Sequence, residues 1–322
     1  MKLVNSIKKT THLLGETASE FIDDGGLKLS AALSYYTIFS LPPLLIIIIS
    51  ICGVFFGPEA INGEIFGQIN GLVGNEAATQ IQDIIKNVHL STSNVFATSL
   101  GVVTLLIGAS GVFAEIQDSI NFIWGLKAKP KRGFIKFIKN RLMSFSMIGT
   151  VGFLLMVGLI INTVMEVLNK RLLNVLPEFT VYFFYIINLL IVFFIITLLF
   201  SVIFKTLPDG VVVWKDAFVG AGFTSFLFMI GKFAIGAYLG TSKIASVYGA
   251  AGSIILILIW VYYSAIILYF GAEFTKIYAL MHGQKIIPKD YAVYIKKHLP
   301  DIEPKITETD LQEQVKQKNT KT

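Results

Sequence analysis

The sequence predicts an all-α polytopic membrane protein with six transmembrane helices and both termini in the cytoplasm. Three observations carry that prediction. Charged residues make up 15% of the 322-residue chain and residues of the AVILMFWYC set 54%, against about 25% charged in an ordinary soluble protein. A soluble fold so poor in charge could not cover its surface. The apolar residues gather into six runs, at about 29–56, 95–122, 143–165, 181–204, 212–238 and 247–275. Each can cross a hydrocarbon core of ~30 Å as a helix of about 20 residues. Each is too long for the roughly 10-residue alternating strands of an outer-membrane barrel. Finally, the segments between runs sort by charge: 22 Lys and Arg fall on one side and four on the other, with Lys232 inside a run. The excess of basic residues marks the cytoplasmic side.

Taken in order, residues 1–28 form a cytoplasmic segment with Lys2, Lys8, Lys9 and Lys28 among Glu16, Glu20, Asp23 and Asp24. They contain no apolar stretch of signal-peptide type, so the first span is expected to act as signal anchor. That span carries Pro42-Pro43. Proline lacks the N–H and clashes with the carbonyl four residues back, so the carbonyls of Ile38 and Phe39 are expected to lose helical partners. Broken helices of this kind form substrate sites in many transporters; a simple kink is the plainer alternative. The acidic stretch 57–94 has apolar positions at helical spacing (Ile65, Ile69, Leu72, Val73, then Ile81, Ile84, Ile85, Val88). It reads as an amphipathic cap on the outer face.

In the second run, Gly101, Thr104, Gly108, Gly111, Glu115, Asp118 and Phe122 make one helical stripe. Its small residues read as a packing seam and its carboxylates as candidates for a polar route. The following loop is basic, with Lys127, Lys129, Lys131, Arg132, Lys136, Lys139 and Arg141 interleaved with aromatics. It is expected to fix topology and touch anionic lipid headgroups. Lys232 in the fifth run lies near the outer end, within snorkelling reach, and Gly236 and Gly240 form a G-x-x-x-G packing pair. The last run places Tyr262, Ile266, Tyr269 and Glu273 on one face. Glu115 and Glu273, at similar depth, are expected to share a proton or cation if they face each other, or to pair with Lys276 or the basic loop. Residues 29–282 thus form the membrane domain. The tail 283–322 is expected to be mostly disordered, with a short surface helix near 291–299.

The single Cys52 allows no internal disulfide, and His12, His89, His282 and His298 are too scattered for a metal site. No catalytic set, metal site or cofactor is expected. Nucleic acid is not expected as a partner either, because the basic loop is better explained by topology and lipid. Membrane lipids are the expected partner, with self-association into a homo-oligomer left open.

Several stretches resemble one known family. They are Ala31-Ala32-Leu33-Ser34-Tyr35-Tyr36-Thr37 with Ser40-Leu41-Pro42-Pro43-Leu44, and Asp118-Ser119-Ile120-Asn121-Phe122-Ile123-Trp124-Gly125. To these add Leu207-Pro208-Asp209 with Trp214-Lys215-Asp216-Ala217. The closing set is Tyr248-Gly249-Ala250-Ala251-Gly252, Trp260-Val261-Tyr262-Tyr263 and Gly271-Ala272-Glu273. As a set, over about 30–275, they resemble the YihY/BrkB family of membrane proteins; the first 28 residues and the tail carry no match. The resemblance implies six spans with cytoplasmic ends. Some members are suspected of moving lipids or solutes, and the old ribonuclease BN label is regarded as mistaken. The leading expectation is a transporter or lipid-translocating protein. Its polar route would be lined by Glu115, Asp118, Lys232, Glu273, Tyr269 and Tyr35, with the helix break at Pro42 and Pro43. A non-transporting scaffold or envelope-stress factor is the alternative, and an enzyme ranks last.

Overall fold

A computed structural model describes residues 2–40, 79, 111–128, 146, 149–150, 177–241 and 252–295. The chain begins with α1 (Lys2–Asp23), and α2 follows over 26–40. Next come α3 (111–123) and β1 (Leu126–Ala128), then α4 (Pro177–Thr206) and β2 (Gly210–Val211). The series closes with α5 (Trp214–Thr241), α6 (Gly252–Met281), β3 (Ile287–Pro288) and β4 (Ala292–Tyr294). Pro42, Pro43, nearly all of the 57–94 cap, the loop from Lys129 to Arg141, most of the 143–165 run and the tail beyond 295 lie outside the described residues.

Among the described residues, three helices are long and apolar enough to cross a membrane: Ile186–Thr206, Trp214–Tyr238 and Ile255–Met281. They coincide with the fourth, fifth and sixth runs of the sequence. At ~1.5 Å per residue, the 30 residues of α4 and of α6 rise ~45 Å. That is longer than the hydrocarbon core, so their ends reach the boundary with water.

The described residues are mostly helical, as the sequence predicts, and the strands among them are only two or three residues long. Two small antiparallel sheets stand where helices end, β1 with β4 and β2 with β3. Leu126 is opposite Tyr294 and Ala128 opposite Ala292; Gly210 is opposite Pro288 and Val211 opposite Ile287. The short helix expected near 291–299 is therefore a strand over 292–294, and the start of the tail is ordered. The physical reason is local. Segments packed against helix ends must satisfy their backbone N–H and C=O groups, and they do so across the gap between loops. Glycines steer the chain into this arrangement. Gly283 (φ 73°) ends α6 with its N–H on Leu280 O and the Gln284 N–H on Ala279 O, the left-handed cap that glycine adopts without a Cβ penalty. Gly125 (φ 66°) does the same after α3, and its carbonyl accepts from the Ile295 N–H at 2.7 Å.

The main core runs between α3, α4, α5 and α6, through Ile120, Ile123, Trp124, Phe200, Phe204, Leu207, Ala221, Tyr269 and Ala272. In α3 the buried face is Phe113, Ile116, Gln117, Ile120 and Asn121, whereas Asp118 and Phe122 are exposed and Glu115 is half-buried. The inner part of the predicted stripe thus faces outward. Gly111 does pack closely, with the Ser40 hydroxyl of α2 3.1 Å from where a Cβ would stand.

The α5–α6 contact is a reciprocal seam. The Thr275 side chain fills the space above Gly220, and the Thr224 side chain fills that above Gly271. Each hydroxyl donates to its own helix at 2.7 Å: Thr224 Oγ1 to Gly220 O and Thr275 Oγ1 to Gly271 O. Higher up, the Tyr263 ring lies against Gly231. Small residues let membrane helices approach closely. The glycines that do so here are Gly220, Gly231 and Gly271; Gly236 of the expected pair is half-buried.

Candidate functional site

One end of the helix assembly collects the start of the chain, the α3–β1 turn, the α4–α5 junction and the segment after α6. Strand pairing joins β1 to β4 and β2 to β3, and Lys276 joins α6 to α1 and α3. These are the four segments that carry the basic excess in the sequence.

The centre of this end is an ionic cluster. Glu273, on α6, is fully buried, and its Oε1 is 2.6 Å from the Lys276 ammonium one helical turn on. The same ammonium lies 3.3 Å from Glu20 Oε2 and 3.8 Å from Asp24 Oδ2, and donates to Ile123 O at 3.0 Å. Carboxylate oxygens of Glu20, Asp24 and Glu273 lie within 4.8 Å of one another. Three carboxylates therefore surround one ammonium. That ammonium holds together α1, the C-terminal end of α3 and α6. Helix α1 is placed by the apolar stripe Leu13 and Phe21 with Thr17 between them, all buried. Leu13 belongs to the cluster of Phe274 and Ile277 on α6, and the Phe21 ring meets Phe270 edge-on at 5.6 Å.

Four residues before Glu273 on α6, the Tyr269 side chain is fully buried, with Ser119 and Glu115 of α3 beside it. Glu115 Oε1 accepts from Ser119 Oγ at 3.3 Å. The two carboxylates expected to meet thus take different partners, Ser119 for Glu115 and Lys276 for Glu273. The pairing with Lys276 was one of the alternatives in the sequence. Asp118 is exposed on α3 beside Glu115. Lys232 is half-buried on α5, its ammonium 5.8 Å from the Phe233 ring centroid. Tyr35 is 60% exposed and meets Tyr36 and Phe39 edge-on. The structure therefore sets Glu115 beside Tyr269, with Asp118 at their edge, places Glu273 one helical turn on with Lys276, Glu20 and Asp24, and leaves Lys232 and Tyr35 elsewhere. Lys127 is exposed.

A second polar knot escaped the sequence reading. The Asp209 carboxylate is fully buried and accepts from Gln117 Nε2 at 2.8 Å and Asn121 Nδ2 at 3.1 Å, while its N–H donates to Asn121 Oδ1 at 2.7 Å. Lys289 donates from its backbone to Asp209 O at 2.8 Å and from its ammonium to Pro208 O at 2.6 Å and Thr206 O at 3.3 Å. Such donors satisfy carbonyls that the end of a helix leaves open. Beside it, Trp124 Nε1 donates to Ala272 O at 3.0 Å. The usable signal was the i, i+4 pair of amides Gln117 and Asn121 on an otherwise apolar helix face.

Apolar membrane-length helices knit together at one end by buried ionic and amide networks define a multi-pass membrane protein. The chain belongs to the family described as virulence factor BrkB, whose profile matches residues 17–291. That range corrects the narrower one read from motifs, because it takes in Glu20, Phe21 and Asp24 at the start and Lys289 at the end. Among curated proteins, it is similar to a UPF0761 membrane protein of Saccharophagus degradans, 27% identical over 265 residues, covering 81% of this chain and 58% of that one. One of Tolumonas auensis is 27% identical, covering 77% of this chain and 78% of the relative. One of Pseudomonas aeruginosa is 26% identical over 272 residues, covering 79% and 60%. The match spans about three fifths of the length of the first of these relatives. No solved structure matches the chain. The stretches that carry the family resemblance, Asp118–Gly125, Leu207–Asp209 and Gly271–Glu273, are far apart in sequence yet meet here, through Asn121 with Asp209 and Trp124 with Ala272.

Proposed function

We propose that this membrane protein moves a solute or lipid across the bilayer, and that Glu273 is the proton- or cation-exchanging group of the route. The observation that carries the reading is a fully buried carboxylate on a membrane-length helix, in a cluster of three carboxylates and one ammonium. Ionisable groups inside membrane segments are costly and characteristically line pathways. The cluster also joins three chain segments, so a change in its charge acts on all three at once. Glu115 with Ser119 and Tyr269 continues the polar line along α6. In liposomes, the wild-type protein is expected to accelerate proton or sodium flux or phospholipid scrambling. Glu273→Gln should abolish that activity while eluting and melting as wild type. Full activity in Glu273→Gln would remove the reading. Wild-type liposomes that move none of these would favour the alternative, a non-transporting scaffold.

The proposal includes six spans with both termini cytoplasmic, supported by the basic excess and by the meeting of the four basic segments at one end. With Cys52 replaced, a cysteine at Ser242 is expected to react with an impermeant thiol reagent in intact cells, and one at Ala128 to stay unlabelled. The reverse pattern overturns the orientation.

A further inference from the structure

We propose that the α4–α5 junction and the β2–β3 sheet form a docking surface for the anionic headgroup layer of the membrane. The inference does not depend on the transport reading. The junction, residues 207–213, connects two membrane-length helices that end at Thr206 and begin at Trp214, so it sits where the bilayer meets water. An ordinary turn there would be polar. Instead, the β2–β3 register sets Val211 opposite Ile287, and both side chains are about half exposed. Val213, Trp214 and Phe218 are exposed to a similar degree, and the Trp214 and Phe218 rings lie 5.7 Å apart.

Charge decides what covers this apolar surface. The Lys205 ammonium donates to Val212 O and stands 5.6 Å from the Trp214 ring centroid. Lys215 is exposed beside Trp214, and Lys285, two residues before Ile287, is partly buried. Asp209 and Asp216 at the helix ends are buried, and the exposed acid near β3 is Asp290, against the lysines Lys205, Lys215 and Lys285. Lysines around tryptophan and aliphatic side chains match the lipid boundary, where indole rings sit at headgroup depth and ammonium groups meet phosphate. A second copy of the chain docking through the same face would set lysine against lysine.

The test uses the full chain in nanodiscs of phosphatidylcholine with or without phosphatidylglycerol. The Trp214 signal is the difference between the fluorescence of wild type and of Trp214→Phe. Phospholipids brominated at shallow acyl positions are expected to quench it and aqueous iodide to leave it unchanged, with brominated phosphatidylglycerol several-fold more effective than the choline lipid. Lys215→Gln with Lys285→Gln should remove that preference while leaving the melting temperature unchanged. Quenching by iodide and not by lipid would overturn the proposal and give this face to water or a soluble partner. Protection from both quenchers, with cross-linked dimers, would overturn it in favour of a second copy. Equal quenching by the two lipids would overturn the anionic assignment.

Discussion

Gly220→Ala and Gly271→Ala are each expected to lower the thermal unfolding temperature of the detergent-solubilised protein sharply, and each to be rescued across the seam. A Cβ on Gly220 would stand 2.9 Å from Thr275 Cβ, and one on Gly271 2.8 Å from Thr224 Cβ. Those carbons are fixed to the backbone, so no rotamer change relieves the overlap, and α5 and α6 must separate. Overpacking costs roughly 1–3 kcal/mol, occasionally more, and separation also weakens the neighbouring Tyr263–Gly231 contact. Gly220→Ala should therefore recover in the background of Thr275→Gly, and Gly271→Ala in that of Thr224→Gly, because only glycine removes the opposing Cβ. The mismatched combinations should stay unstable. Equal behaviour of matched and mismatched pairs would show that the seam is not the cause.

Lys276→Met should be the most damaging change at the charged end. It leaves Glu273, fully buried, together with Glu20 and Asp24, without the ammonium that compensates them. Removing one partner of a buried ion pair costs roughly 3–5 kcal/mol. Glu273→Gln should be far milder, because Lys276 keeps two carboxylates and Ile123 O. Adding Glu273→Gln to Lys276→Met should recover part of the loss, with a coupling of about 0.5–3 kcal/mol. Additive melting shifts would deny the coupling.

The apolar runs of the fourth, fifth and sixth helices were legible because membrane solvation imposes length and composition, whatever the neighbours. Glu273 was legible for the same reason: a carboxylate stands out in an apolar helix. The partners were harder to read. Glu20 and Asp24 look like ordinary solvated charges of a polar terminus, and only the packing of Leu13 and Phe21 on α6 brings them to Lys276. Gly111 and the acids of α3 form one stripe, yet burial follows the apolar positions on the opposite side of the helix, flanked by the Gln117–Asn121 amides. The strands were invisible because two- or three-residue pairings have no periodicity; they arise from loops brought side by side after the helices assemble. Lys232 stands out equally in sequence, but its half-buried position on α5 does not join it to the cluster.

The contact between α1 and α6 also has a temporal side. Glu20 and Lys276 are separated by 256 positions, and ribosomes add about 5–20 residues per second. Roughly 13–50 s therefore elapse between synthesis of the first helix and emergence of the lysine that receives it. Throughout that interval Leu13 and Phe21 have no α6 to cover them, and Glu20 and Asp24 have no ammonium. Helix α1 is thus among the last of these helices to dock, waiting on α6 long after its own synthesis. Chains truncated before Lys276 should consequently keep α1 open to proteases even when the earlier spans are already in the bilayer.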